Sequence, residues 1–103
     1  MKLSLTFLAT VFAGVVVADM HNSCACHNGG YNWRITAPAC DAYGSDVAYN
    51  NDSGRCESKS GDEVLDGDTW EGTCQKLAQE GFACIDGKGT CYASADTVRG
   101  DCN

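Results

Sequence analysis

The chain has 103 residues, 8 of them Cys, with 14 Asp and Glu against 7 Lys and Arg and a formal net charge of −7. A chain this short builds one modest apolar core, and its acidic surface repels phosphate backbones and anionic lipid. Nucleic-acid and membrane partners are therefore not expected, and neither is a cationic antimicrobial role.

Residues 1–18, MKLSLTFLATVFAGVVVA, carry Lys2 as their one charge, an apolar run from Leu3 to Val17, and the small Ala18 two residues after Val16. That layout predicts a secretory signal peptide cut between Ala18 and Asp19, the run being short for a membrane span. The mature chain is then a single domain, residues 19–103, in which six Lys and Arg face fourteen Asp and Glu. All eight cysteines fall in it: Cys24, Cys26, Cys40, Cys56, Cys74, Cys84, Cys91 and Cys102. An even count in a short exported chain predicts a disulfide framework, each bridge contributing roughly 2–4 kcal/mol. Spacing alone does not select one pairing among the possible ones.

In chain order, the first element is NSCACH, which alternates like a strand and so aims Cys24 and Cys26 from one face. A bond between them would be strained; they are expected to fasten the strand to helices packed on that face, or to a neighbouring segment. TAPACDAY predicts a short helix with Thr36 as cap, Pro38 in its first turn and Gly44 as its stop. YNNDSGRCES reads as two strand arms around Tyr49 and Cys56, joined by an Asn-Asp-Ser-Gly turn.

DTWEGTCQKLAQEG predicts the clearest helix, capped by Asp68 with Glu71 reaching back and stopped by Gly81. Trp70, Cys74, Leu77 and Ala78 share one face of it, so Trp70 belongs to the core. FACIDGKGTCYA predicts a hairpin around Asp86-Gly87-Lys88-Gly89. The order of elements implies an α+β fold: a small disulfide-rich sandwich, split βαβ-like, whose antiparallel sheet carries two helices on one face.

Candidate sites are few. His21, Cys24, Cys26 and His27 include zinc-ligand types, but without a C-x₂-C pair and in a compartment that oxidises thiolates, disulfides are the expected state. Cleavage after Ala18 would make His21 the third residue. Asp19-Met20-His21 then has the form of an amino-terminal copper and nickel motif, in which a free amine, two backbone nitrogens and an imidazole suit square-planar Cu(II) or Ni(II). The acidic run Asp62, Glu63, Asp66, Asp68 and Glu71 lacks the spacing of a calcium loop, and Asp68 and Glu71 are better used at the helix start.

No cofactor motif occurs, and no enzyme is expected: both histidines sit near the amino terminus, no nucleophile elbow is present, and 85 residues leave little room for a deep pocket. Binding is the better expectation, by a monomer, with aromatic side chains as anchors. Tyr31 and Trp33, beside Gly29 and Gly30, are the candidate binding residues. Asn51-Asp52-Ser53 is an N-glycosylation sequon in a turn.

The pattern C-x-C, GGYN and T-x-x-C, followed by G-x-x-W, a further Cys and closely spaced terminal cysteines, resembles the fungal small secreted cysteine-rich, effector-like proteins. The likeness spans most of residues 19–103 and rests on cysteine order with a few Gly, Tyr and Trp positions. It implies a fold similar to the α-subunit of a viral killer toxin of smut fungi, although Ala39-Cys40 stands where several members of the class have a Cys-Cys doublet. The resemblance further implies an extracellular effector or elicitor that binds a protein or glycan of a host or competitor. A growth-inhibiting toxin and an inhibitor of an extracellular hydrolase are the alternatives.

Overall fold

The computed structural model describes residues 19–103, so the expected signal peptide, 1–18, lies outside the described residues. The fold is α+β and disulfide-rich. Along the chain run β1 (Met20–His21), β2 (Ser23–Asn28), α1 (Trp33–Tyr43), β3 (Val47–Asn50), β4 (Arg55–Ser58), β5 (Leu65–Asp66), α2 (Gly67–Glu80), β6 (Phe82–Ala83), β7 (Thr90–Cys91) and β8 (Val98–Cys102). A 3₁₀ turn at Ala95–Thr97 precedes β8. No helix among the described residues is long and apolar enough to cross a membrane.

The main sheet is antiparallel in the order β3-β4-β2-β8. Its strand β2 is central, with Cys24 opposite both Cys56 of β4 and Cys102 of β8. Residues opposite one another share a face, as do Cys24 and Cys26, so Cys24, Cys26, Cys56 and Cys102 all point to one side. On that side Cys26 bonds Cys74 of α2 and Cys56 bonds Cys40 of α1, so both helices are stapled to the same face. Cys24 bonds Cys102 on the neighbouring strand, and Cys84 bonds Cys91 across the β6–β7 hairpin. No cysteine is free. The expectation that Cys24 and Cys26 fasten the strand outward holds, one reaching a helix and the other a neighbouring strand.

Packing follows from this arrangement. Trp70, Ile35, Leu65 and Val98 are the largest fully buried apolar side chains. Trp70 donates its indole N–H to the Ala25 carbonyl at 2.8 Å, so the one polar atom of this bulky core residue is satisfied by the central strand. Its ring packs on Tyr43 of α1, centroids 5.9 Å apart, linking the helices. Gly100 lies opposite Cys26 where α2 crosses β8; a Cβ there would stand 2.9 Å from Trp70 Cδ1 and 3.2 Å from Glu71 Cα. Only glycine lets the helix backbone come this close.

Three features differ from the sequence reading. Helix α1 begins at Trp33, three residues before Thr36, and its cap is Asn32, whose side-chain oxygen accepts from the Arg34 N–H at 3.0 Å. Thr36 is instead fully buried, donating its hydroxyl to the Asn32 carbonyl and accepting from the Cys26 N–H at 2.9 Å; it ties α1 to β2. Pro38 accordingly sits beyond the first turn. Helix α2 is capped by Asp66, not Asp68: its carboxylate accepts from both the N–H and the hydroxyl of Thr69, and these bonds hold the Asp66 carboxyl below the ordinary carboxylate range. Glu71, freed from any capping box, accepts from the Gly100 N–H at 2.9 Å. The fourth strand of the main sheet is β8, whereas the Phe82–Cys91 hairpin forms a small separate sheet.

The close approach at Gly100 can be measured against Gly72, which lies in α2 with open space around it. Gly100→Ala is expected to lower stability by about 1–3 kcal/mol through overpacking. Gly72→Ala is expected to raise it by about 0.5–1 kcal/mol. Denaturant titration of the oxidised proteins reads both, and equal effects of one sign would contradict this packing.

Candidate functional site

A surface groove of about 520 Å³ lies between the Asn28–Asn32 loop and the β6–β7 hairpin. Its walls include Tyr31 and Arg34 on one side and Phe82, Ile85 and the Cys84–Cys91 pair on the other. The loop is held by backbone bonds, Asn28 N–H to the Gly30 carbonyl at 2.7 Å and Asn32 N–H to the Cys26 carbonyl at 2.9 Å. The hairpin is closed by its own disulfide and by the Gly87 N–H donating to the Cys84 carbonyl. Both walls are therefore set before any ligand arrives, which reduces the ordering cost of binding.

Tyr31 is half exposed, at 46%, yet its hydroxyl is tied down. It donates to the Gly54 carbonyl at 2.6 Å, with the Tyr49 hydroxyl 3.0 Å away. Desolvation, with the Tyr49 hydrogen bond, pushes the Tyr31 phenol up to about 12. Gly54 makes this possible: it has φ +73°, and a Cβ would stand 2.7 Å from the Tyr31 oxygen. The ring is thus a fixed aromatic wall rather than a free side chain.

Trp33 is 53% exposed on the first turn of α1, with the Arg34 guanidinium carbon 5.8 Å from its ring centroid. Ile85, at the tip of the hairpin, is 84% exposed. The two residues expected as anchors are therefore both at the surface, but only Tyr31 lines the groove; Trp33 lies outside the lining, between Asn32 and Arg34 in the chain. The sequence reading missed Ile85, Phe82 and Arg34. The signal for Ile85 was present, since a branched apolar residue between Cys84 and an Asp-Gly turn has no structural need to be there.

The remaining candidates lie elsewhere. Asn51 is exposed in the β3–β4 turn, which Asn50 organises by accepting from the N–H groups of Asp52 and Ser53. Asn50 and Ser53 also donate to Glu57, holding its carboxyl below the usual range. The eight cysteines are all in disulfides, which removes the thiolates a zinc site at His21, Cys24, Cys26 and His27 would need. No group of three or more His, Cys, Asp or Glu among the described residues is placed to hold a metal ion.

His21 has a structural role in the folded chain. Its Nδ1 donates to the main-chain oxygen of Asn103, and its Nε2 lies 3.1 Å from the Asp19 carboxylate. Met20 and His21 pair with Asp66 and Leu65, and Asp19 accepts from the Gly67 N–H. The nitrogen that the copper and nickel motif of Asp19, Met20 and His21 would use is thus occupied, and metal binding would compete with attachment of β1. Two acceptors facing the two ring nitrogens favour the imidazolium, so hydrogen bonds to Asp19 and then Asn103 raise the His21 pKa above its ordinary value.

Comparison with family models, with curated protein sequences and with solved structures finds no match to this chain.

A raised folded-state pKa has a definite sign. The His21 contribution is fully present below the unfolded value of about 6.5 and is lost as pH rises through the folded value. Melting temperature measured from pH 5 to 9 should fall over that window in the parent relative to His21→Ala. Parallel curves would remove the imidazolium from the account.

Proposed function

We propose that this protein is a secreted, cysteine-rich effector or elicitor-like protein that acts outside the producing cell by binding a protein or glycan of a host or competitor. The observation that carries the reading is the preformed groove, with Tyr31 and Ile85 exposed on its walls and Trp33 exposed next to Arg34, on a cross-linked frame. Large side chains in a chain of this size lower the free energy most when buried. Three left at the surface on or next to one concavity are better explained by a partner that covers them.

Four disulfides within residues 19–103 suit an oxidising extracellular milieu. The apolar run over 1–18 supplies the route there. The acidic surface favours partners that are neutral or basic overall. The Tyr31 hydroxyl is hydrogen-bonded to Gly54 and the hairpin is closed by Cys84–Cys91, which favours a defined interface over loose adhesion. The sequence resemblance to fungal secreted cysteine-rich proteins supports the same reading, with a growth-inhibiting toxin as the alternative that the assay below separates.

Fluorescently labelled oxidised protein, residues 19–103, should bind the outer surface of plant tissue or of competing microbial cells. Infiltration into leaves and microbial growth assays, run in parallel, distinguish an elicitor from a toxin. Trp33→Ala combined with Ile85→Ser should weaken binding by thirtyfold or more, about 2 kcal/mol, without lowering the melting temperature. Binding that survives both substitutions, or survives reduction and alkylation, would defeat the proposal.

A further inference from the structure

Arg34 is an unpaired cation in an acidic protein. Like Lys59, Lys88 and Arg99, it is in none of the ion pairs among the described residues, but of these four it alone lines the groove. Its Nε is buried without a hydrogen-bond partner, the one such side-chain atom among the described residues. Its guanidinium carbon lies 5.8 Å from the centroid of the Trp33 ring, which attracts the cation through its face but offers no in-plane acceptor. A guanidinium presents a planar fork that matches a carboxylate. Every other residue lining the groove is neutral: Asn28, Gly29, Gly30, Tyr31, Asn32, Phe82, Cys84, Ile85 and Cys91.

That composition narrows the ligand. One cation calls for one carboxylate. A polyphosphate or polysulfate would need several cations and would meet the repulsion of a surface on which acids far outnumber bases. The apolar walls of Tyr31, Phe82 and Ile85 suit the C–H face of a ring. Asn32 uses its side-chain oxygen to cap α1, which leaves its amide NH₂ to donate to a hydroxyl. A peptide is a poorer fit, because extended peptides add to a long strand edge, and the only strands at the groove are the two-residue β6 and β7 and the end of β2.

We infer that the groove between the Asn28–Asn32 loop and the β6–β7 hairpin binds an acidic sugar, a pyranose with one carboxylate among neutral sugars. The carboxylate is forked on the two terminal nitrogens of Arg34, Nη1 and Nη2, and the ring lies against Tyr31, Phe82 and Ile85. The inference rests on the binding function proposed above and names the ligand chemistry for it.

The test is ¹H–¹⁵N NMR titration of oxidised residues 19–103 with aldotriouronic acid, which carries one glucuronate on two xyloses. Neutral xylotriose and the capped peptide acetyl-Gly-Asp-Gly-Gly-amide serve as comparison ligands. Expected are shifts confined to Asn28–Arg34 and Phe82–Cys91, with affinity about tenfold lower for xylotriose and for Arg34→Gln, and a further loss with added salt. Melting of Arg34→Gln is read on the same sample. It should change little, because the Arg34 side chain is in none of the ion pairs among the described residues and its Nε has no hydrogen bond to lose.

Equal affinity for xylotriose, shifts that map elsewhere, no effect of Arg34→Gln, or no binding at all would overturn the inference. Equal or tighter binding of the peptide would overturn the sugar assignment. Should the acidic sugar fail while cell-surface binding persists and still depends on Trp33 and Ile85, the inference alone falls. Should cell-surface binding be absent too, the proposed function falls with it.

Discussion

The Cys26–Cys74 bond joins the middle of the sheet to the middle of α2, and most of the remaining structure is placed by it. With α2 held there, Trp70 reaches the Ala25 carbonyl, Gly100 admits the helix backbone, and Glu71 meets the Gly100 N–H. Two links carry the constraint outward from strand β2. Thr36 binds α1 to the backbone of Cys26, and Cys24 locks the last strand through Cys102. A chain this small builds only a modest apolar core against the entropy of ordering its backbone, so cross-links that restrict the unfolded state supply a large share of its stability. Bonds that close long loops restrict it most. In the loop-entropy picture the 78-residue separation of Cys24 and Cys102 and the 48-residue separation of Cys26 and Cys74 are each worth roughly 4 kcal/mol, against about 2 for the 7-residue separation of Cys84 and Cys91; of the two long bonds only Cys26–Cys74 joins the sheet to a helix.

This division separates folding from binding. The long-range bonds secure the sheet and helices, while the short Cys84–Cys91 bond shapes only the hairpin that walls the groove. Tyr31 links the two regions, its hydroxyl anchored in the β3–β4 turn and its ring lining the groove. Surface loops of this construction can vary in sequence without disturbing the core beneath them. The opposite face of the main sheet is organised differently. Arg55 of β4 donates to the Asp101 and Ser23 carbonyls and pairs with the Asp101 carboxylate, which ties β4 to β2 and β8.

Much of this is legible in the sequence. The apolar face of Trp70, Cys74, Leu77 and Ala78 marked α2, alternation marked β2, and Asn-Asp-Ser-Gly and Asp-Gly-Lys-Gly marked the two turns, because each is a local signal. The disulfide pairing was not legible, since it depends on which strands become neighbours. Strand β8 was missed because Val98-Arg99-Gly100-Asp101-Cys102 buries little beyond Val98, and its glycine, which reads as a breaker, is required by a helix distant in sequence. The caps were misplaced for a related reason: Thr36 and Asp68 are good caps by type, but the buried bond of Thr36 to Cys26 and the position of β5 moved the helix starts to Asn32 and Asp66. Tyr31 and Trp33 were suggested by residue type. Arg34 was not, because a lone arginine on a helix looks solvated until its surroundings are known.

The central claim is that the Cys26–Cys74 cross-link determines the fold and that Cys84–Cys91 does not. Near-UV circular dichroism during thermal unfolding of two double variants, Cys26→Ala with Cys74→Ala and Cys84→Ala with Cys91→Ala, separates the two roles. The first pair should abolish the cooperative transition, and the second should keep it within several degrees of the parent. A first variant that melts cooperatively near the parent temperature, or a second that does not fold, would contradict the account.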